Sequence, residues 1–148
     1  MTPKLYSALK WGALLGGPLA VLETVLYFAG LRGQNQSDIV LSSCVGNALE
    51  IIIPVIAGLL AARETGERRS GLIAGVTAGL IVAVVNQISE FMVPADAIVR
   101  LFDQPPPTTQ ELIFGTIQAR VVSIALGAWA GWLGGRIGQG LRHSDPTG

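Results

Sequence analysis

The chain has 148 residues, enough for one domain, and carries no net charge. Half of its residues are hydrophobic and only 14% are charged, well under the roughly 25% usual for soluble domains. Neutrality removes any global attraction for nucleic acid, and with one cysteine (Cys44) and one histidine (His143) the chain offers neither an internal disulfide nor a metal-ligand set.

Lys4 and Lys10 precede a first apolar run, Trp11–Leu31. The layout is that of a signal peptide, but the run is too long for an h-region, contains Glu23 and lacks an A-x-A-like exit. It reads as a retained first helix. The second run is Ile39–Ala62, with Asp38 placed to cap it. A charged segment, 63–70, leads to the third run, Gly71–Pro94. An outer loop, 95–111, follows; Ala97–Phe102 suits a short interfacial helix, and Pro105, Pro106 and Pro107 form a stiff extended stretch. Thr108 and Glu111 have capping-box spacing ahead of the fourth run, Leu112–Ile137. Each run meets the length of about 20 apolar residues that a spanning helix needs. None has a charged stripe to face water, which excludes a soluble bundle. The expected fold is therefore all-α: a single domain, 1–148, built as a membrane-spanning four-helix bundle.

Orientation follows from the basic residues. Lys4, Lys10, Arg63, Arg68, Arg69, Arg136 and Arg142 fall on one side; Arg32 and Arg100 fall on the other. The positive-inside rule places both termini in the cytoplasm of a multi-pass cell-membrane protein. The sequon Asn35-Gln36-Ser37 then lies outside and is read as chance.

The runs also suggest a repeat. Ala57-Gly58-Leu59-Leu60-Ala61-Ala62-Arg63 matches Ala130-Gly131-Trp132-Leu133-Gly134-Gly135-Arg136, and Gly12-Ala13-Leu14-Leu15-Gly16 matches Gly71-Leu72-Ile73-Ala74-Gly75. A helical hairpin used twice in the same orientation is a parallel repeat, with its pseudo-twofold along the membrane normal. Steps of three and four collect residues on single helix faces. These are Gly12, Gly16, Ala20, Glu23 and Tyr27; Ser43, Asn47, Glu50, Pro54 and Ala57; Gly75, Gly79, Ala83, Asn86 and Glu90; and Arg120, Ser123, Gly127, Gly131 and Gly134. The cytoplasmic half of each face is small, which suits close backbone packing in lipid through Gly12, Gly16, Gly75, Gly79, Gly127 and Gly131. The outer half is polar.

That polar half carries the candidate site: Glu23, Asn47, Glu50, Asn86, Glu90 and Arg120. From the helical rise, Glu90 lies roughly 6 Å below the outer end of its run, Arg120 and Glu23 roughly 12 Å, and Glu50 roughly 17 Å. An intramembrane charge costs about 2.5–3.5 kcal/mol by insertion scales, so it faces the bundle interior or water. Arg120 can neutralise one acid, most simply Glu90 or Glu23. The others must be protonated, hydrated or matched by a partner. Asn47 is the expected neighbour of Glu50, and Pro54 frees a backbone carbonyl near it.

Two readings compete. A non-catalytic subunit, assembly factor or homo-oligomer needs only packing faces and paired charges; its partners are the bilayer, a second copy or another membrane protein. A small proton- or cation-coupled transporter would use Glu50 or Glu23. An intramembrane enzyme is the weakest reading, because no serine–base pair, intramembrane histidine or cofactor motif is present. Four short helices and Glu23 resemble the small multidrug resistance transporters in architecture, but their aromatic cage is absent and Arg120 does not fit. Segments such as Gly58–Arg63 followed by Gly71–Gly75 resemble uncharacterised small four-helix bacterial membrane proteins with Gly/Ala-rich hairpins, which implies a fold and no activity.

Overall fold

The computed structural model describes residues 2–32, 36–92 and 108–143. They form four helices: α1 (Pro3–Arg32), α2 (Gln36–Thr65), α3 (Arg68–Phe91) and α4 (Thr109–His143). No strand occurs among the described residues. All four helices are long and apolar enough to cross a membrane, over Pro3–Gly30, Val40–Thr65, Arg68–Ser89 and Ile113–Leu141. The chain is a multi-pass membrane protein by length and composition of its helices.

Each helix runs past its apolar core, because polar residues at the interface can continue the backbone hydrogen-bond ladder. Asp38 is therefore inside the first turn of α2, which begins at Gln36, rather than ahead of it. The connection expected at 63–70 shrinks to a tight turn. Gly66 takes a positive φ of 75°, and its N–H donates to the Ala62 carbonyl at 2.7 Å. A left-handed residue after a helix end is best supplied by glycine, which has no Cβ to clash. The capping box at the start of α4 forms as expected. The Thr108 N–H and hydroxyl donate to Glu111 Oε2 at 2.8 and 2.7 Å, and the Glu111 N–H reaches Thr108 Oγ1 at 3.3 Å. The interfacial helix expected at Ala97–Phe102 and the proline run lie outside the described residues.

The central pair of the bundle is α2 and α3, with α1 packed on one side of both and α4 on the other. The buried core is made largely of alanines, among them Ala20, Ala57, Ala61, Ala62, Ala74, Ala78 and Ala130, with Leu19 and Val82. Small residues let the backbones meet, and glycines decide where. A methyl group added at Gly12 would sit 2.6 Å from the Ala74 carbonyl oxygen, and one at Gly16 would sit 2.7 Å from Ala78 Cα. Between α3 and α4, Gly71, Gly75 and Gly79 interlock with Gly127, Gly131 and Gly135. A methyl at Gly131 would lie 2.5 Å from the Gly71 oxygen, and one at Gly127 would lie 2.7 Å from the Gly75 oxygen. Gly58, Gly134 and Gly138, none of them counted above as a packing glycine, seat α2 against α4.

Parallel neighbours in the bundle keep two fixed registers. Ser123 donates to Glu50, and Gln139 donates to the Gly66 carbonyl, both pairs 73 residues apart. Gly58 and Gly131 meet at the same spacing, as the matched segments require. Between α1 and α3, the pairs Lys4–Glu67 and Glu23–Asn86 are both 63 apart. At that spacing Gly12, Gly16, Ala20 and Glu23 fall on Gly75, Gly79, Ala83 and Asn86. The sequence match of Gly12 with Gly71 is thus displaced by one helical turn. Equivalent stripes serve different neighbours: Gly12 and Gly16 face α3, whereas Gly75 and Gly79 face α4. The reason is the partner. On α4, Gly127, Gly131 and Gly135 clear a continuous groove; the matching positions on α2 are Pro54, Gly58 and Ala62.

Packing is uneven along the bundle. Among the described side chains, no residue of α2 before Pro54 and none of α4 before Gly127 is buried. These positions are equivalent in the 73-residue register. In contrast, α1 and α3 stay packed toward the end of the bundle away from the termini through Leu19, Glu23, Val82 and Ser89.

Candidate functional site

At the packed end of that gradient, the end of the bundle that carries both termini is closed by charge. Lys10 pairs with Glu64 at 2.9 Å, and Lys4 pairs with Glu67. Trp11 also donates its indole N–H to Glu64, and the Lys10 ammonium lies 4.9 Å from the Trp11 ring centroid. Both ion pairs are exposed, so solvent screens them and each adds little stability. Their effect is to tie α1 to the α2–α3 turn.

The opposite half holds the polar residues, and among the described residues they form three hydrogen-bonded contacts. Between α1 and α3, Asn86 Nδ2 donates to Glu23 Oε2 at 3.0 Å. Glu23 is 8% exposed, and its Oε1 is buried with no hydrogen-bond partner among the described residues. One turn outward the same seam is closed by Thr24 and Ser89, whose hydroxyls lie 3.2 Å apart. Each also donates back to its own helix, Thr24 to the Ala20 carbonyl and Ser89 to the Val85 carbonyl. These two residues were not in the sequence-level cluster. Their signal was their place beside Glu23 and Asn86 on outward turns.

Between α2 and α4, Ser123 Oγ donates to Glu50 Oε1 at 3.2 Å. The neighbour of Glu50 is therefore Ser123 and not Asn47, which is exposed. The helical face that places Asn47 one turn from Glu50 is correct as periodicity, but the partner comes from the facing helix. Between α3 and α4, Arg120 Nε donates to Gln87 Oε1 at 3.4 Å. Arg120 and Glu50 both lie within electrostatic reach of Glu23. The side chain of Glu90 lies outside the described residues, and with it the expected Arg120–Glu90 pair.

Of the predicted packing glycines, Gly12, Gly16, Gly75, Gly79, Gly127 and Gly131 all sit at helix contacts where an added Cβ would meet a neighbouring helix. The cluster can hold charge and protons. It contains no group of three metal-ligating side chains among the described residues.

A family model described as a family of unknown function, DUF5518, matches residues 13–141. The chain belongs to this family. No curated protein and no solved structure matches it. The match to the DUF5518 family spans all four helices, from the first turns of α1 to the end of α4, so the bundle as a whole is the family's unit.

Proposed function

We propose that this DUF5518 protein is a non-catalytic protein of the cell membrane, with both termini cytoplasmic, that works by assembling with a second copy of itself. The observation that carries this reading is the unpacked outer half of α2 and α4. Asn47 and Gln118 are exposed there, within segments apolar enough to lie in lipid. Near them, Gly46 and Gly115 have nothing within 4 Å of where a Cβ would stand. Lipid satisfies neither amide, whereas small residues beside polar ones suit helix–helix contact, with the amides bonded across the interface. A subunit or assembly factor that meets a different membrane protein would use the same surface. A second reading, proton- or cation-coupled transport through Glu50 and Glu23, is favoured by the half-satisfied carboxylate of Glu23.

The test is the mass of the particle in nanodiscs or mild detergent. A dimer is expected, and Asn47→Leu combined with Gln118→Leu should shift it to monomer. Cys44 is exposed on the same stretch of α2, so mild oxidation in membranes should link two chains. A monomer at every concentration would defeat the assembly reading. A second polypeptide in the particle would replace the homo-oligomer with the subunit.

A further inference from the structure

The seam between α1 and α3 contains an acid that its neighbours satisfy on one oxygen only. Asn86 holds Glu23 Oε2, while Oε1 is enclosed and meets no donor among the described residues. Each element packed around it presents a group: Asn86 from α3, Glu50 from α2 and, across the bundle, Arg120 from α4. Two carboxylates therefore share one guanidinium's field. A metal cation is disfavoured by that guanidinium and would need several further oxygen ligands. A proton needs one lone pair, and Oε1 has it free.

We infer that Glu23 and Asn86 form a proton-binding site, with the proton carried on Glu23 Oε1 and Glu50 within electrostatic reach of it on the deeper side. The bond at Oε2 suits both states. A carboxylic acid needs a hydroxyl oxygen and a carbonyl oxygen, and the Asn86 amide already donates to the oxygen that becomes the carbonyl. Loss of the proton leaves the same bond in place, so the proton can leave and return without repacking α1 on α3. Glu50 is half-buried where the outer halves of α2 and α4 lose their packing, and its own carboxylate is oriented by Ser123. The inference rests on neither the assembly nor the transport reading.

Infrared titration of the full chain in nanodiscs tests it directly. A carbonyl stretch of a protonated carboxylic acid is expected, and it should vanish on raising the pH. Glu23→Gln should remove it. Asn86→Leu should keep it and move its midpoint up by about one pH unit, since the charged form loses a hydrogen bond. Glu50→Gln should move the midpoint down, because a like charge is gone. No such band in the wild type overturns the assignment. So does a band that survives Glu23→Gln and disappears in Glu50→Gln. Should Glu23→Gln fail to fold, the opposite shifts in Asn86→Leu and Glu50→Gln decide, and two unmoved midpoints overturn it.

Discussion

Thr108 and Glu111 show how far single residues can be read. The capping box needs only a hydroxyl and a carboxylate three positions apart, both local, and it forms as expected. The hydrogen bonds from the Thr108 hydroxyl and then its backbone N–H hold the Glu111 carboxyl below the usual carboxylate range. A lowered value means the cap is complete above the ordinary glutamate range and is lost as pH falls through the folded value. Protection of the first-turn amides of α4, relative to their intrinsic exchange rates, should therefore fall under acid. Glu111→Gln should keep the turn protected and abolish that pH dependence. Thr108→Ala should weaken the helix start by roughly 1 kcal/mol at any pH. Glu50 belongs to the opposite class, since its partner is 73 residues away. Glu50→Gln should leave thermal stability nearly unchanged, because the amide oxygen still accepts from Ser123. Ser123→Ala should cost about 1 kcal/mol, the usual net value of one hydrogen bond. Equal losses from both would mean the Glu50 charge itself is structural.

At the scale of elements, glycine content alone does not say which glycines matter. Nineteen are scattered through the chain, and periodicity selects faces without naming the helix each face meets. The distances separate them. Gly131→Ala drives a methyl to 2.5 Å of the Gly71 oxygen and 2.6 Å of Gly75 Cα, both backbone atoms that cannot rotate away. We expect a loss of roughly 1–3 kcal/mol, the cost of overpacking, read as a lower unfolding midpoint in detergent. Gly115→Ala and Gly46→Ala enter open space and should be neutral or gain up to about 1 kcal/mol from helix propensity. Destabilisation at Gly46 or Gly115 in the assembled protein, with none in the monomer, would mark those positions as part of an interface. Gly134 and Gly138 escaped the reading of faces as packing positions because they serve α2 while Gly131 and Gly135 serve α3, so α4 carries two adjacent small stripes.

For the whole molecule, topology is the open expectation, and the structure improves the choice of probes. Ser70 lies in the α2–α3 turn region but is buried and accepts from Thr65, so it is a poor labelling position. Arg69 is exposed beside it, and Gln110 is exposed at the start of α4. In a Cys44→Ser background, Arg69→Cys should resist an impermeant label added outside intact cells, and Gln110→Cys should react. The reverse pattern would invert the orientation drawn from the basic residues.

Four spans, their order, the cap of α4 and the division of each helix into a small and a polar half were all legible in the chain. They depend on composition and on spacing within one helix, and lipid enforces both by demanding an apolar surface and an internally bonded backbone. The tertiary structure decided everything that needs two helices at once. It set the 63- and 73-residue registers, gave Glu50 to Ser123 and Asn86 to Glu23, and gave the glycines of α3 to α4 rather than α1. It also left the outer halves of α2 and α4 unpacked. Helical periodicity fixes which side chains share a face, but which faces meet depends on how closely two backbones can approach, and that is a property of the pair.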